Sequence, residues 1–338
     1  MDAMTPKERF LRALYRQRVD RIPVGNPTSV ATVESMEACG AYFPEVHLDP
    51  EKMARLAATG YELLGFDTIA PYFSVVQEVA AFGLKINWGT LDTMPDVLEN
   101  PFGDPEEIKV PTDFLDRPPV RTVLKALKIL KREYGDYVCL IGKVMGPWTL
   151  SYHLHGVQNF LIKTILEPDK VHRFLARLKE VSVMFANAQL KAGADVITVA
   201  DHATGDLVSG TCYRDFLLPV HQEITRQIEG PTILHICGNT IDRLEYVVLA
   251  GFSGFHFDSK VNPRRAHEIV AGRISLIGNV NNPVTLLEGT PEDVRREVFA
   301  ICEAGIEIIA PECAVPLRTP NTNLKAIVEA VVEYCRVA

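Results

Sequence analysis

The sequence predicts an α/β fold of the (β/α)8 TIM-barrel class, one domain over residues 1–338, with a short N-terminal helix and a small hairpin insertion. Three observations carry this. Eight apolar segments of strand length begin at Arg21, Phe66, Tyr137, Asp195, Thr232, Gly254, Ile274 and Glu307. From Tyr137 onward these segments alternate with stretches of helical character, the pattern of parallel strands joined by crossover helices. The unusual polar residues fall at the C-terminal ends of the strands, where barrel enzymes keep their chemistry. A doubly wound open sheet is the competing architecture, but no G-x-G-x-x-G follows an early strand.

The elements follow in order. Thr5 is placed to cap a first helix over 5–18, Pro6 suits its first turn, and Phe10, Leu11, Leu14 and Tyr15 form its apolar stripe. A short strand is expected over 21–25, a helix over 50–64 and a strand over 66–70. Residues 79–88 alternate and contain Gly83, which reads as the hairpin insertion. Strands then fall at 137–143, 195–200, 232–237, 254–258, 274–278 and 307–310. Helices are expected over 214–227, 264–270, 291–302 and 323–336. There is no solenoid-type repeat and no low-complexity linker.

Composition narrows the function classes. The chain is 47% hydrophobic and 23% charged, the profile of a globular enzyme, and its length is enough to bury a large core without staples. A net charge of −8 argues against nucleic acid and anionic membranes as partners. No apolar run approaches the roughly 18 to 20 residues that span a bilayer. The first ten residues carry Asp2, Lys7, Glu8 and Arg9 and no apolar core of a secretion signal. The seven cysteines are odd in number and irregular in spacing, which reads as reduced thiols in a cytoplasmic protein.

The strand ends hold the chemistry. Asp201-His202 follows the fourth strand, His235-Ile236-Cys237-Gly238-Asn239 the fifth, His256 and Asp258 lie on the sixth, and Glu312-Cys313 follows the eighth. On an extended segment residues i and i+2 share a side, so the His235 imidazole and Cys237 thiolate can meet one ion. Cys313 arrives from another strand. One His and two Cys leave a coordination position free, the pattern of a catalytic zinc, and soft sulfur favours zinc over magnesium or calcium. A strand His and Cys can equally be packed core residues, and the residues alone leave both readings open. Asp258 reads as a fourth ligand, as an outer partner of His235, or as a group facing water.

These residues carry a resemblance. The chain resembles the uroporphyrinogen decarboxylase superfamily, and within it the methylcobalamin:coenzyme M methyltransferase branch, over nearly its whole length. The match runs through Thr5-Pro6-Lys7-Glu8-Arg9, Asp20-Arg21-Ile22-Pro23-Val24, Gly146-Pro147-Trp148-Thr149-Leu150, Ala194-Asp195 and Gly205-Asp206. It continues through His235-Ile236-Cys237-Gly238-Asn239, Gly278-Asn279-Val280-Asn281, Pro311-Glu312-Cys313 and Asn323-Leu324-Lys325-Ala326. The resemblance implies a zinc site on His235, Cys237 and Cys313. It implies methyl transfer from a methyl-cobalt corrinoid, held on a partner protein, to a thiol such as coenzyme M, with tetrahydrofolate the alternative acceptor. His202, Asp206, Asn239 and Asp258 are the expected substrate-positioning residues.

Two departures matter. Decarboxylases of this type carry an Arg-rich segment after the first strand and an Asp after the second. Here the first stretch is Gly25-Asn26-Pro27-Thr28-Ser29-Val30, and no Asp occurs from Thr68 to Leu91. A porphyrinogen with many carboxylates would lack its partners, so decarboxylation is the lesser alternative. Methyltransferase relatives often read Asp-Glu-Lys where this chain has Asp258-Ser259-Lys260, and Glu312 replaces a more usual Gly. The expected fourth ligand is therefore Asp258 or Glu312.

Overall fold

A computed structural model describes residues 3–337. Seven parallel strands follow one another in chain order around a curled sheet. They are β1 (Thr68–Ile69), β4 (Cys139–Met145), β5 (Val196–Ala200), β6 (Thr232–Ile236), β7 (Gly254–Phe257), β8 (Ser275–Val280) and β9 (Ile308–Pro311), while β2 (Ile86–Asn87) and β3 (Asp96–Val97) form a separate antiparallel hairpin.

The eighth stave is residues 23–26, which lie between the two free edges. Val24 bridges Ile309 in parallel. Ile309 N–H donates to the Pro23 carbonyl and Gly25 N–H to the Ile309 carbonyl, each at 3.0 Å, while Asp67 N–H donates to the Val24 carbonyl at 2.6 Å. Both edges are thereby covered, as closure of a barrel requires. The strand expected over 21–25 shrinks to this one bridge because Pro23 has no N–H to extend the ladder.

The strands are buried on both faces, as parallel barrel strands must be. Cys139, Ile141, Val196, Ile233, Ile277 and Ile308 point inward and pack on Phe10, Ala13 and Leu14 of the helix Pro6–Leu14, which closes the N-terminal end. Leu140, Val144, Ile197, Val199, Leu234 and Phe255 belong to the larger outer core. The bottom helix is clamped by charge. Arg9 donates to Asp20 at 2.6 and 2.8 Å and to Asp67 at 2.7 Å, and Arg21 donates to the same Asp67 at 2.9 and 3.0 Å. Asp67 also accepts the Val24 N–H at 2.8 Å, so one buried carboxylate ties helix, first stave and β1 together.

The helices expected after β5, β7, β8 and β9 are present, and two local corrections apply to the elements. The small antiparallel hairpin is present, but of residues 79–88 only 86–87 belong to it, as β2 paired with β3. Val79 lies in a short helix, Gln77–Ala81, and Gly83 at φ 95° ends that turn. The helix expected over 214–227 opens as a π-wound stretch, Tyr213–Leu217, before Leu218–Gln227, because Pro219 cannot donate to the turn behind it. Among the described residues no helix is long and apolar enough to cross a membrane.

Candidate metal centre

Register brings the site residues to one end of the barrel. His235 on β6 pairs with Ala200 on β5 and His256 on β7, so the polar tails of three neighbouring strands emerge side by side. Cys313 follows β9 from across the barrel. His235 Nε2 lies 3.0 Å from Cys237 Sγ and 3.4 Å from Cys313 Sγ, and the two sulfurs are 3.2 Å apart. A disulfide would need about 2.05 Å, and both cysteines are free. Zinc ligands at about 2.0 to 2.3 Å from a shared ion lie on the order of 3.5 Å from one another. The set fits such an ion with a small outward relaxation.

The tautomer is fixed from behind. His235 Nδ1 faces the His256 carbonyl at 3.3 Å. A carbonyl only accepts, so the proton sits on Nδ1 and the Nε2 lone pair points at the sulfurs, as a metal ligand needs. The His256 ring lies under His235 with centroids 4.5 Å apart, and its Nε2 donates to the Pro311 carbonyl at 2.7 Å. Burial pushes His256 down to about 3, so it stays a neutral spacer. Asn26 donates to the Cys313 carbonyl at 2.9 Å. The segment that in decarboxylases would be Arg-rich here positions a cysteine instead.

The cysteines act as a pair. Cys313 is held well below the usual thiol range, first through its hydrogen bond with Cys237 and then through His235. Cys237, which keeps the shared proton, is pushed well above that range, and its burial adds to this. Such a pair sheds one proton readily and resists losing the second, and a bound cation supplies what the second loss requires.

The other expected residues divide. His202 joins the centre: its ring nitrogen lies with His235 and Cys237 in a group whose ligand atoms are all within 4.8 Å of one another. Asp258 and Glu312, the expected fourth ligands, are turned elsewhere. Asp258 accepts the N–H groups of Gly238 at 2.8 Å and Lys260 at 2.9 Å; Glu312 accepts those of Ser259 and Asn282, each at 2.9 Å. Each carboxylate fastens a loop, because tight turns after the strands leave backbone donors that need acceptors. Asn239 is exposed, and its side chain accepts the Ile241 N–H at 3.2 Å. Asp206 pairs with Lys260 at 2.8 Å on the wall of a cleft of about 410 Å³ that reaches Cys237 and His202.

Gly238 makes this arrangement possible. Its φ is +78°, and a Cβ there would stand 2.1 Å from Thr204 Oγ1. The sequence reading overlooked Lys143, Tyr72, Glu78 and His47, which are all buried. The available signal was a lysine with apolar residues on both sides, in Cys139-Leu140-Ile141-Gly142-Lys143-Val144-Met145, where a strand faces a barrel interior.

The comparisons agree with this architecture. The uroporphyrinogen decarboxylase (URO-D) family profile matches residues 5–334. Methylcobamide:CoM methyltransferase MtaA of Methanosarcina barkeri is 35% identical, covering 99% of both chains. Methylcobamide:CoM methyltransferase MtbA of Methanosarcina acetivorans is also 35% identical at the same coverage. The solved structure of a methyltransferase from Methanosarcina mazei superposes with a TM-score of 0.95 at 37% identity, covering 98% of this chain and 99% of that one. By a profile that spans almost the whole sequence and by full-length relatives above 30% identity, the chain belongs to the uroporphyrinogen decarboxylase family.

Proposed function

We propose that this protein transfers a methyl group from a methyl-cobalt corrinoid, carried on a partner protein, to the thiol of coenzyme M, at a zinc held by His235, Cys237 and Cys313. The observation that carries the reading is the triangle of one imidazole nitrogen and two sulfurs with edges of 3.0, 3.2 and 3.4 Å. The names of the full-length relatives, methylcobamide:CoM methyltransferases, support the donor and the acceptor. Zinc in this donor set supplies the positive charge that makes a thiol a thiolate at neutral pH, where a free thiol with a pKa near about 8.5 is mostly protonated.

The chain's own residues do the rest. His235 keeps its proton on Nδ1 and presents a lone pair. Cys237 borders the cleft through which both substrates approach. His202 stands beside it, and burial keeps it below the usual histidine range, so it is neutral and adds no competing charge. The transfer breaks the carbon–cobalt bond with its electron pair left on cobalt, and forms the carbon–sulfur bond. The thiol proton leaves to solvent through the cleft. A porphyrinogen is a poor fit, since among the described residues Lys260 is the one Lys or Arg lining the cleft and Asp206 neutralises it.

The test mixes the purified protein with methylcobalamin and, separately, coenzyme M, homocysteine or tetrahydrofolate. The expected result is loss of the methylcobalamin absorption with coenzyme M, and no carbon dioxide from uroporphyrinogen. Methyl transfer to tetrahydrofolate alone, or decarboxylation of uroporphyrinogen, overturns the reading.

A further inference from the structure

Lys143 is an ammonium without a partner. It lies midway along β4 on the inward face, is 3% exposed, and holds its Nζ 4.6 Å from the centroid of the Tyr72 ring. No hydrogen bond or ion pair joins that ammonium to any described residue. A lysine carries three donors and no acceptor, so burying it beside an aromatic face alone is costly. Glu78, whose charge reaches it, is otherwise engaged: one oxygen accepts the Tyr72 hydroxyl and the other the Met145 N–H at 2.8 Å.

Two more polar side chains nearby lack partners. Thr198 stands beside Lys143 in the register of β5 against β4, is fully buried, and its Oγ1 is unpaired. His47 is fully buried, and both its ring nitrogens are unpaired. Its ring stacks between Phe43 at 4.3 Å and Trp88 at 5.8 Å. Burial, then the Lys143 charge, lowers it to about 4, so it is a neutral imidazole with one N–H to give. The Lys143 charge reaches His47 and also reaches Cys313, Cys237 and His202.

The geometry points to Lys143, Thr198 and His47 as an anion-binding subsite for the charged tail of the acceptor thiol, inside the barrel below the Cys237–Cys313 pair. Lys143 and Thr198 stand side by side in register and the Lys143 charge reaches His47, so a small thiol bearing a sulfonate or carboxylate on a short carbon spacer would place its anionic group among these donors while its sulfur meets the metal centre. Glu78 and the two thiols act on the ammonium only through space, and a bound anion adds the hydrogen-bonded counter-charge they do not give, so binding energy is directed to the acidic thiol and withheld from neutral ones. The acceptor half of this inference rests on the methyl-transfer reading; the anion subsite itself does not.

The test compares 2-mercaptoethanesulfonate with the neutral 2-mercaptoethanol as acceptors from methylcobalamin, together with calorimetric titration of the thiol-free anion ethanesulfonate into the zinc-loaded protein. Wild type is expected to prefer the sulfonate thiol in kcat/KM, and Lys143→Met to reduce that preference by about 30-fold or more, mainly through the KM of the sulfonate. Lys143→Arg should restore part of it, and Thr198→Val, which keeps the volume, should weaken it about 5-fold. Ethanesulfonate binding should be present in wild type and lost in Lys143→Met. An undiminished preference in folded Lys143→Met, or no ethanesulfonate binding to wild type, overturns the subsite. If no thiol is methylated but ethanesulfonate binding depends on Lys143, the subsite stands and the methyl-transfer reading falls.

Discussion

The two thiols of the candidate metal centre lie 3.2 Å apart beside one imidazole, and that fixes what their removal should do. Cys237→Ala or Cys313→Ala takes away one of three donors, so each variant should retain less than about a tenth of the zinc held by wild type after dialysis. Its circular dichroism should stay unchanged, since the site lies at the barrel mouth and not in the apolar layers. Metal analysis decides, and full zinc retention in both variants would sink the assignment. Glu78 yields a pH prediction. Burial raises its carboxyl from 4.5 to about 7. A folded pKa above the unfolded one means stability that is fully present below about pH 4.5 and lost as pH rises through 7. The loss should be on the order of 3 kcal/mol, and Glu78→Gln should flatten the slope of urea-unfolding free energy between pH 4.5 and 7. At this scale the meeting of His235, Cys237 and Cys313 was legible because residue type, the i, i+2 spacing and strand-end position place them together, and the resemblance names them as a ligand set. Lys143 and His47 were not, because only the closed barrel reveals that no described residue hydrogen-bonds to their side chains.

Among the elements, the unit from β4 through β5 shows how a helix start positions a neighbour of the metal centre. Asp201, fully buried at the end of β5, accepts the Thr149 N–H at 2.7 Å and the Trp148 N–H at 3.4 Å, capping the helix Pro147–His155 from a neighbouring strand. It also pairs with His221 Nε2 at 3.0 Å. Thr149 Oγ1 in turn accepts the His202 N–H at 2.8 Å, so the cap and the metal centre share a hinge. Asp201→Ala should cost on the order of 3 kcal/mol, more than an exposed cap because it orphans buried donors. It should also weaken zinc binding about tenfold by releasing His202. Denaturant melts and a competitive zinc titration check both; an unchanged zinc affinity would detach His202 from this coupling. The sequence placed the elements after β5 well, because short apolar strands and capped helices alternate there. It misplaced the hairpin because the buried side of the helix Gln77–Ala81 mimics alternation over so few residues.

For the whole molecule, closure rests on Asp67. Its carboxylate, 1% exposed, joins Arg9, Arg21 and the Val24 N–H, and so links the bottom helix to the stave that meets β9. Asp67→Ala leaves two guanidinium groups without their shared carboxylate and should destabilise the fold by on the order of 3 to 5 kcal/mol, read as a lower urea midpoint. A midpoint within experimental error of wild type would show that closure is carried by the apolar layers alone.

Periodicity, turn residues and strand-end position are local in the chain, and they are enough to predict the barrel and the end of it that gathers His235, Cys237 and Cys313, which the family resemblance adds as candidate ligands. Tertiary structure alone decided that Asp258 and Glu312 fasten loops, that His202 turns toward Cys237, and that Lys143, Thr198 and His47 gather without partners. Those facts depend on which donors and acceptors meet across strands far apart in sequence. A single chain read in order carries no record of which polar groups remain unanswered once the barrel has closed.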